Sequence, residues 1–164
     1  MMATCRRFFI LATLAFWQGG FAFYSAIVVP AGEEVLGSSR EQGFVTRRVT
    51  NYLNAAGAVA LPLCLWDLWI GTWTSGIRLR WGSWGGMALT LALQVWLHMV
   101  LDRLLQPDAM LVSDQRTFRA LHQWYLIAST AQWACSVAFL VLTLIAWRKE
   151  DATRPFVECP MVDS

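Results

Sequence analysis

The chain has 164 residues, one domain's worth, and is 57% hydrophobic and only 15% charged, with ten Trp; an average soluble domain is roughly 45–50% apolar and about 25% charged. That surplus excludes a soluble globule and a disordered chain. Thirteen Lys and Arg against eleven Asp and Glu are too even for a nucleic-acid binder, and four Cys without C-x-x-C spacing exclude a disulfide-stapled scaffold.

A hydrocarbon core about 30 Å thick needs about 20 mostly apolar residues of helix. Four stretches qualify, at about 8–29, 52–71, 84–101 and 124–147, each bounded by charge, Pro or Gly. The first follows Arg6 and Arg7 and ends at Pro30. A signal peptide is its rival reading, but the apolar run exceeds the usual 7–15 residues or so, and Trp17, Gln18 and Tyr24 stand where small residues would be needed for cleavage. Next come polar residues in which Ser39 and Gln42 have capping-box spacing. Phe44, Val45, Val49, Tyr52 and Leu53 then recur at helical spacing, predicting an amphipathic interfacial helix that feeds span two. Pro62 predicts a kink inside span two. A short loop ends in Arg78-Leu79-Arg80, a longer one containing Pro107 precedes span four, and 151–164 reads as a polar, disordered tail behind a transmembrane domain of 1–150. The expected class is an all-α membrane protein, an antiparallel four-transmembrane-helix bundle.

Orientation follows from basic residues near span ends. Arg6, Arg7, Arg78, Arg80, Arg148 and Lys149 cluster there on one side, which predicts both termini in the cytoplasm of a plasma-membrane or inner-membrane protein. Phe8, Phe9, Trp66, Trp69, Trp73, Trp81, Trp84 and Trp147 fall at one predicted interface, and Tyr52, Trp96, Trp124 and Tyr125 nearer the other. Small residues should line helix contacts. Ala15, Gly19, Ala22 and Ala26 form such a stripe in span one; Gly85, Ala88 and Ala92 do so in span three, and Ala128, Ala131, Cys135 and Ala138 in span four.

Each span also carries polar residues. Gln18, Asn54, Gln94, His98 and Gln132 form the intramembrane set, with Ser25, Asn51, Thr90, Asp102, Ser129 and Ser136 beside them. Unpaired amides in hydrocarbon cost several kcal/mol, so these side chains should face one another, as interhelical hydrogen bonds or as the lining of a cavity. Asp67 sits close enough to the interface to reach Arg78 or water. His98 and His122 fall near the same membrane surface, which would suit haem b or a metal ion; otherwise His98 bonds Asp102 one turn on, and His122 pairs near Arg119 or with water. Cys64 and Cys135 read as small hydrophobes within spans, while Cys5 and Cys159 lie in the termini. No Ser-His-Asp order, zinc-protease helix, P-loop or paired intramembrane Asp is legible, so no catalysis is expected.

The run from Trp17 through Gly19-Gly20 and Tyr24 to Pro30, then Asn51-Tyr52, resembles the first half of the transmembrane protein 205-like family of small four-helix membrane proteins. Leu104-Leu105-Gln106-Pro107 and Phe118-Arg119-Ala120-Leu121-His122 resemble its second half. Gly20, Pro30, Tyr52, Arg119 and His122 are the family-like positions. The resemblance implies a membrane bundle without an assigned reaction. The functional expectation is a non-catalytic transport-related, stress-related or scaffold component with no cofactor; the alternative is a haem b or metal redox anchor using His98 and His122. Expected partners are the lipid bilayer and a membrane protein or second copy, with no nucleic acid.

Overall fold

The computed structural model describes residues 2–71, 76–106 and 111–153. They are helical apart from turns and a two-residue antiparallel ladder in which Leu105 pairs with Val112. Four helices are long and apolar enough to cross a membrane: Met2–Leu36, Glu41–Ile70, Ile77–Leu104 and Gln115–Thr153. All outrun the apolar stretches that predict them, because their polar flanking turns stay helical.

The first span is composite. Helix α1 (Met2–Leu14) passes through a π-helical turn (Ala15–Gly19), α2 (Gly20–Phe23) and a second π-turn (Tyr24–Val28) into α3 (Val29–Leu36). Pro30 does not end it as expected. The Val29 N–H bonds to the Tyr24 carbonyl five residues back, and Pro30 opens α3, where its missing donor costs least. The helix stops instead at Gly37, whose φ of 64° favours a residue without a Cβ.

Helix α4 (Ser39–Ile70) joins the polar segment to span two without a break, and runs on through Pro62. Its cap lies one residue earlier than the spacing predicts. Ser38 accepts from the Glu41 N–H at 3.4 Å, which releases Gln42 to turn inward. Helix α5 (Ile77–Leu104) begins seven residues ahead of the expected apolar stretch, so Arg78 is exposed and Arg80 buried. Asp114 caps α6 (Gln115–Thr153), accepting from the N–H groups of Arg116 and Thr117 at 3.0 and 3.1 Å. Residues 151–153 of the expected tail are helical; Trp73, Pro107, Cys159 and the rest of the tail lie outside the described residues.

Ile10, Leu14, Trp17, Ala60, Cys64, Met87, Leu91 and Phe139 form the main core, while Leu97, Leu101 and Tyr125 form a second cluster. Packing corrects the expected small-residue stripes. Ala15, Gly19, Ala22 and Ala26 are all exposed, and the buried stripe of span one runs one to two residues out of step with them, through Leu14, Trp17 and Tyr24. Ala92, Ala131 and Ala138 are exposed too. Large side chains displace small ones because they bury more surface per position. Close approach occurs at Gly57, under the Trp17 ring, and at Gly86, beside Cys135. Of the aromatic residues expected at the interfaces, Phe8, Phe9, Trp66, Trp69, Trp81, Tyr52, Trp96 and Trp124 are exposed, Trp84 is half-buried, and Trp147 and Tyr125 turn inward.

Candidate functional site

Two polar centres lie at opposite ends of the helices. The first gathers around Asp67, 1% exposed. Arg80 donates to Asp67 Oδ2 at 2.6 Å and to Thr143 Oγ1 at 3.3 Å, while the Trp147 indole N–H lies 3.2 Å from both carboxylate oxygens. Arg6 Nε stands 3.2 Å from Oδ1, an ion-pair contact without hydrogen-bond alignment. Above them Arg7 pairs with Glu150 and Asp151 and covers the Trp147 ring. Asp67 therefore meets Arg80 and Arg6, not the expected Arg78 or water. These contacts join all four spans in one ion-paired lock.

The second centre is a cavity of about 490 Å³ to which every span contributes: Tyr24 from the first, Thr50 from α4, His98 and Asp102 from α5, Tyr125 and His122 from α6. Its volume falls in the range of small-molecule sites, about 300–1,000 Å³. Tyr24 is fixed there by the second π-turn; its hydroxyl donates to Thr46 Oγ1 at 3.0 Å and accepts from Gln42 Nε2 at 3.2 Å. Arg47 grips both oxygens of Asp102, at 2.7 and 3.3 Å. His98 Nε2 is 3.7 Å from Asp102 Oδ2, too far for the expected hydrogen bond, and is buried without a partner. His122 stacks on Phe118, ring centroids 6.2 Å apart and 5° from parallel, rather than pairing near Arg119. Phe21, Leu53, Leu101 and Leu126 supply apolar wall.

Below the cavity is a polar layer. Trp17 lies against Gly57, Leu61 accepts from the Trp84 indole, and Gly86 approaches Cys135. At 1.5 Å per residue these contacts spread Gln18, Gln132, Asn54, Ser129 and Gln94 over roughly one and a half turns of depth. The Nε2 atoms of Gln18, Gln94 and Gln132 are buried and unpaired. Of the expected polar set His98 lines the cavity, and no hydrogen bond joins Gln18, Asn54, Gln94 and Gln132 to one another among the described residues. Between this layer and Asp67, Ile10, Cys64, Met87 and Phe139 are fully buried and separate the two centres with apolar side chains.

The family-like positions do not converge. His122 reaches the cavity, but Pro30, Tyr52 and Arg119 are exposed and Gly20 only backs onto Leu53. Tyr24, Gln42, Thr46, Thr50 and Arg47 are cavity residues that sequence reading missed, although Gln42, Thr46 and Thr50 recur every four residues on one α4 face, which is a legible signal. Among the described residues no three of His, Cys, Asp or Glu are placed to hold a metal ion. Comparison with protein-family models, curated proteins and solved structures finds no match for this chain.

Proposed function

We propose that the chain is an integral protein of a plasma or inner membrane, an antiparallel four-helix bundle that binds a small amphipathic molecule without transforming it, as a transport-related component. The observation that carries this reading is the 490 Å³ cavity built from all four spans, with an apolar core between it and the Asp67 centre. A continuous pore needs a polar path between both ends; the buried Ile10, Cys64, Met87 and Phe139 argue for a blind cavity instead. Gln42, Thr46, Arg47 and Thr50 of α4 line the cavity, which supports a mouth near that end, and with both termini cytoplasmic the mouth would face the opposite compartment. The likeness to the transmembrane protein 205-like family agrees with a bundle of this kind.

Calorimetric titration of the detergent-purified chain tests the reading, using decylubiquinone, tetraphenylphosphonium and oleate as probes. At least one should bind saturably and lose binding when Leu53→Trp fills the cavity; no saturable binding by any of them rejects it. Because His98 and His122 line the same cavity, bis-imidazole haem b is the second reading. It requires a Soret band in the purified protein that disappears in the His98→Ala, His122→Ala double variant.

A further inference from the structure

A separate pocket of about 410 Å³ opens at the Asp67 end, where Arg6 of α1, Trp66 and Ile70 of α4 and Glu150 of α6 meet in its wall. Arg6 is 9% exposed and shares the single carboxylate of Asp67 with Arg80. Its guanidinium makes no hydrogen bond among the described residues. Nε is the one nitrogen of that group both buried and unpaired, so the two Nη groups are the donors with access to the pocket. Glu150 presents the opposite charge. Its Oε2 accepts from Arg7 at 3.0 Å, whereas Oε1 accepts from none of the described residues and is not sealed away. Beside them Trp66 and Ile70 are 46% and 58% exposed, an apolar flank on the outer surface of α4.

A guanidinium and a carboxylate in one pocket, with hydrocarbon-facing side chains next to them, match a molecule that is an inner salt with apolar chains attached. Phosphate suits the N–H donors of Arg6, and a primary ammonium suits the acceptor on Glu150. A headgroup with negative charge alone would meet the Glu150 carboxylate, and a quaternary ammonium has no N–H to give it. Basic pockets between membrane helices bind lipid headgroups, and tryptophan belongs at headgroup level. We propose that this pocket holds phosphatidylethanolamine from the surrounding leaflet, its phosphate on the Arg6 Nη groups, its ammonium on Glu150 Oε1 and its acyl chains along Trp66 and Ile70. The phosphate gives Arg6 the second anion that Asp67, shared with Arg80, does not supply. The site lies apart from the four-span cavity and stands whether or not that cavity binds a ligand.

The test is native mass spectrometry of the full chain in detergent, incubated with equimolar phosphatidylethanolamine, phosphatidylcholine and phosphatidylglycerol of one acyl composition. Phosphatidylethanolamine should be retained at one per chain, about tenfold over either competitor, the equivalent of one hydrogen bond. This comparison needs no variant. Glu150→Gln should bring phosphatidylethanolamine and phosphatidylcholine level. Ala3→Phe, which fills the pocket, should remove the bound lipid, and Leu53→Trp, which fills the four-span cavity, should leave it in place. Water-soluble O-phosphoethanolamine at the same concentration should fail to displace the lipid, because it lacks the chains that meet Trp66 and Ile70. Equal retention of the three lipids, preference for either competitor, or no retained lipid overturns the proposal. So does displacement by O-phosphoethanolamine, which would make the ligand a soluble compound, and so does retention by Ala3→Phe or loss in Leu53→Trp.

Discussion

Asp67 shows how one side chain is held by what surrounds it. A carboxylate buried among apolar helices is stable there only because Arg80, Arg6 and Trp147 converge on it. Asp67→Ala leaves two buried guanidinium groups without their counter-charge and should cost about 3–5 kcal/mol, measured by denaturant titration of tryptophan fluorescence. The Asp67→Asn, Arg80→Gln pair should cost less than the sum of its single variants, because each single change strands a charge that the double one removes. Gly57 offers a steric counterpart. A Cβ there would stand 2.6 Å from two atoms of the rigid Trp17 ring, so Gly57→Ala should destabilise by about 1–3 kcal/mol in the same titration.

Among elements, α6 depends on its first turn. Asp114 Oδ1 accepts two backbone N–H groups and Oδ2 the Thr117 hydroxyl at 2.6 Å, and these bonds hold its carboxyl below the usual value of 3.8. A folded-state pKa below the unfolded one gives stabilisation that is complete above the ordinary carboxylate range and fades as pH falls through the lowered value. Amide protection factors at residues 115–118, which correct for the intrinsic exchange rate, should therefore fall at acid pH. Asp114→Asn, itself a good cap, should abolish that dependence.

The four spans were legible in the sequence because hydrocarbon imposes a length and a composition on any helix that crosses it. The burial of Gln94 and Gln132 agrees with the expectation that amides turn away from lipid, but their Nε2 atoms find no partner. What escaped was rotational phase. Two π-turns reset the first helix, so extrapolation at 3.6 residues per turn misjudged Ala15 through Ala26 and overlooked Tyr24. Arg80 was missed because its helix starts in polar sequence that hydropathy does not count.

At the scale of the whole molecule, the two polar centres divide the labour. The ion-paired lock around Asp67 secures the end that carries Met2 and Thr153, and the apolar plug leaves the opposite end free to shape a cavity. Orientation in the membrane then decides which compartment the cavity serves. With cytoplasmic termini, a reporter that is active only after export should be silent when fused after residue 153 and active when inserted between residues 106 and 111. The reverse pattern would invert the assignment of the mouth.

The thirteen-position separation of Asp67 and Arg80 also bears on biosynthesis. A nascent chain delivers the acidic side chain first, and insertion of that helix alone would carry a bare charge toward oil. Its guanidinium mate emerges about a second later at bacterial rates of translation. Helices α4 and α5 are thus expected to enter the bilayer as one self-neutralised hairpin, with the N-terminal helix docking onto it through Arg6 and the last helix closing the assembly through Thr143 and Trp147.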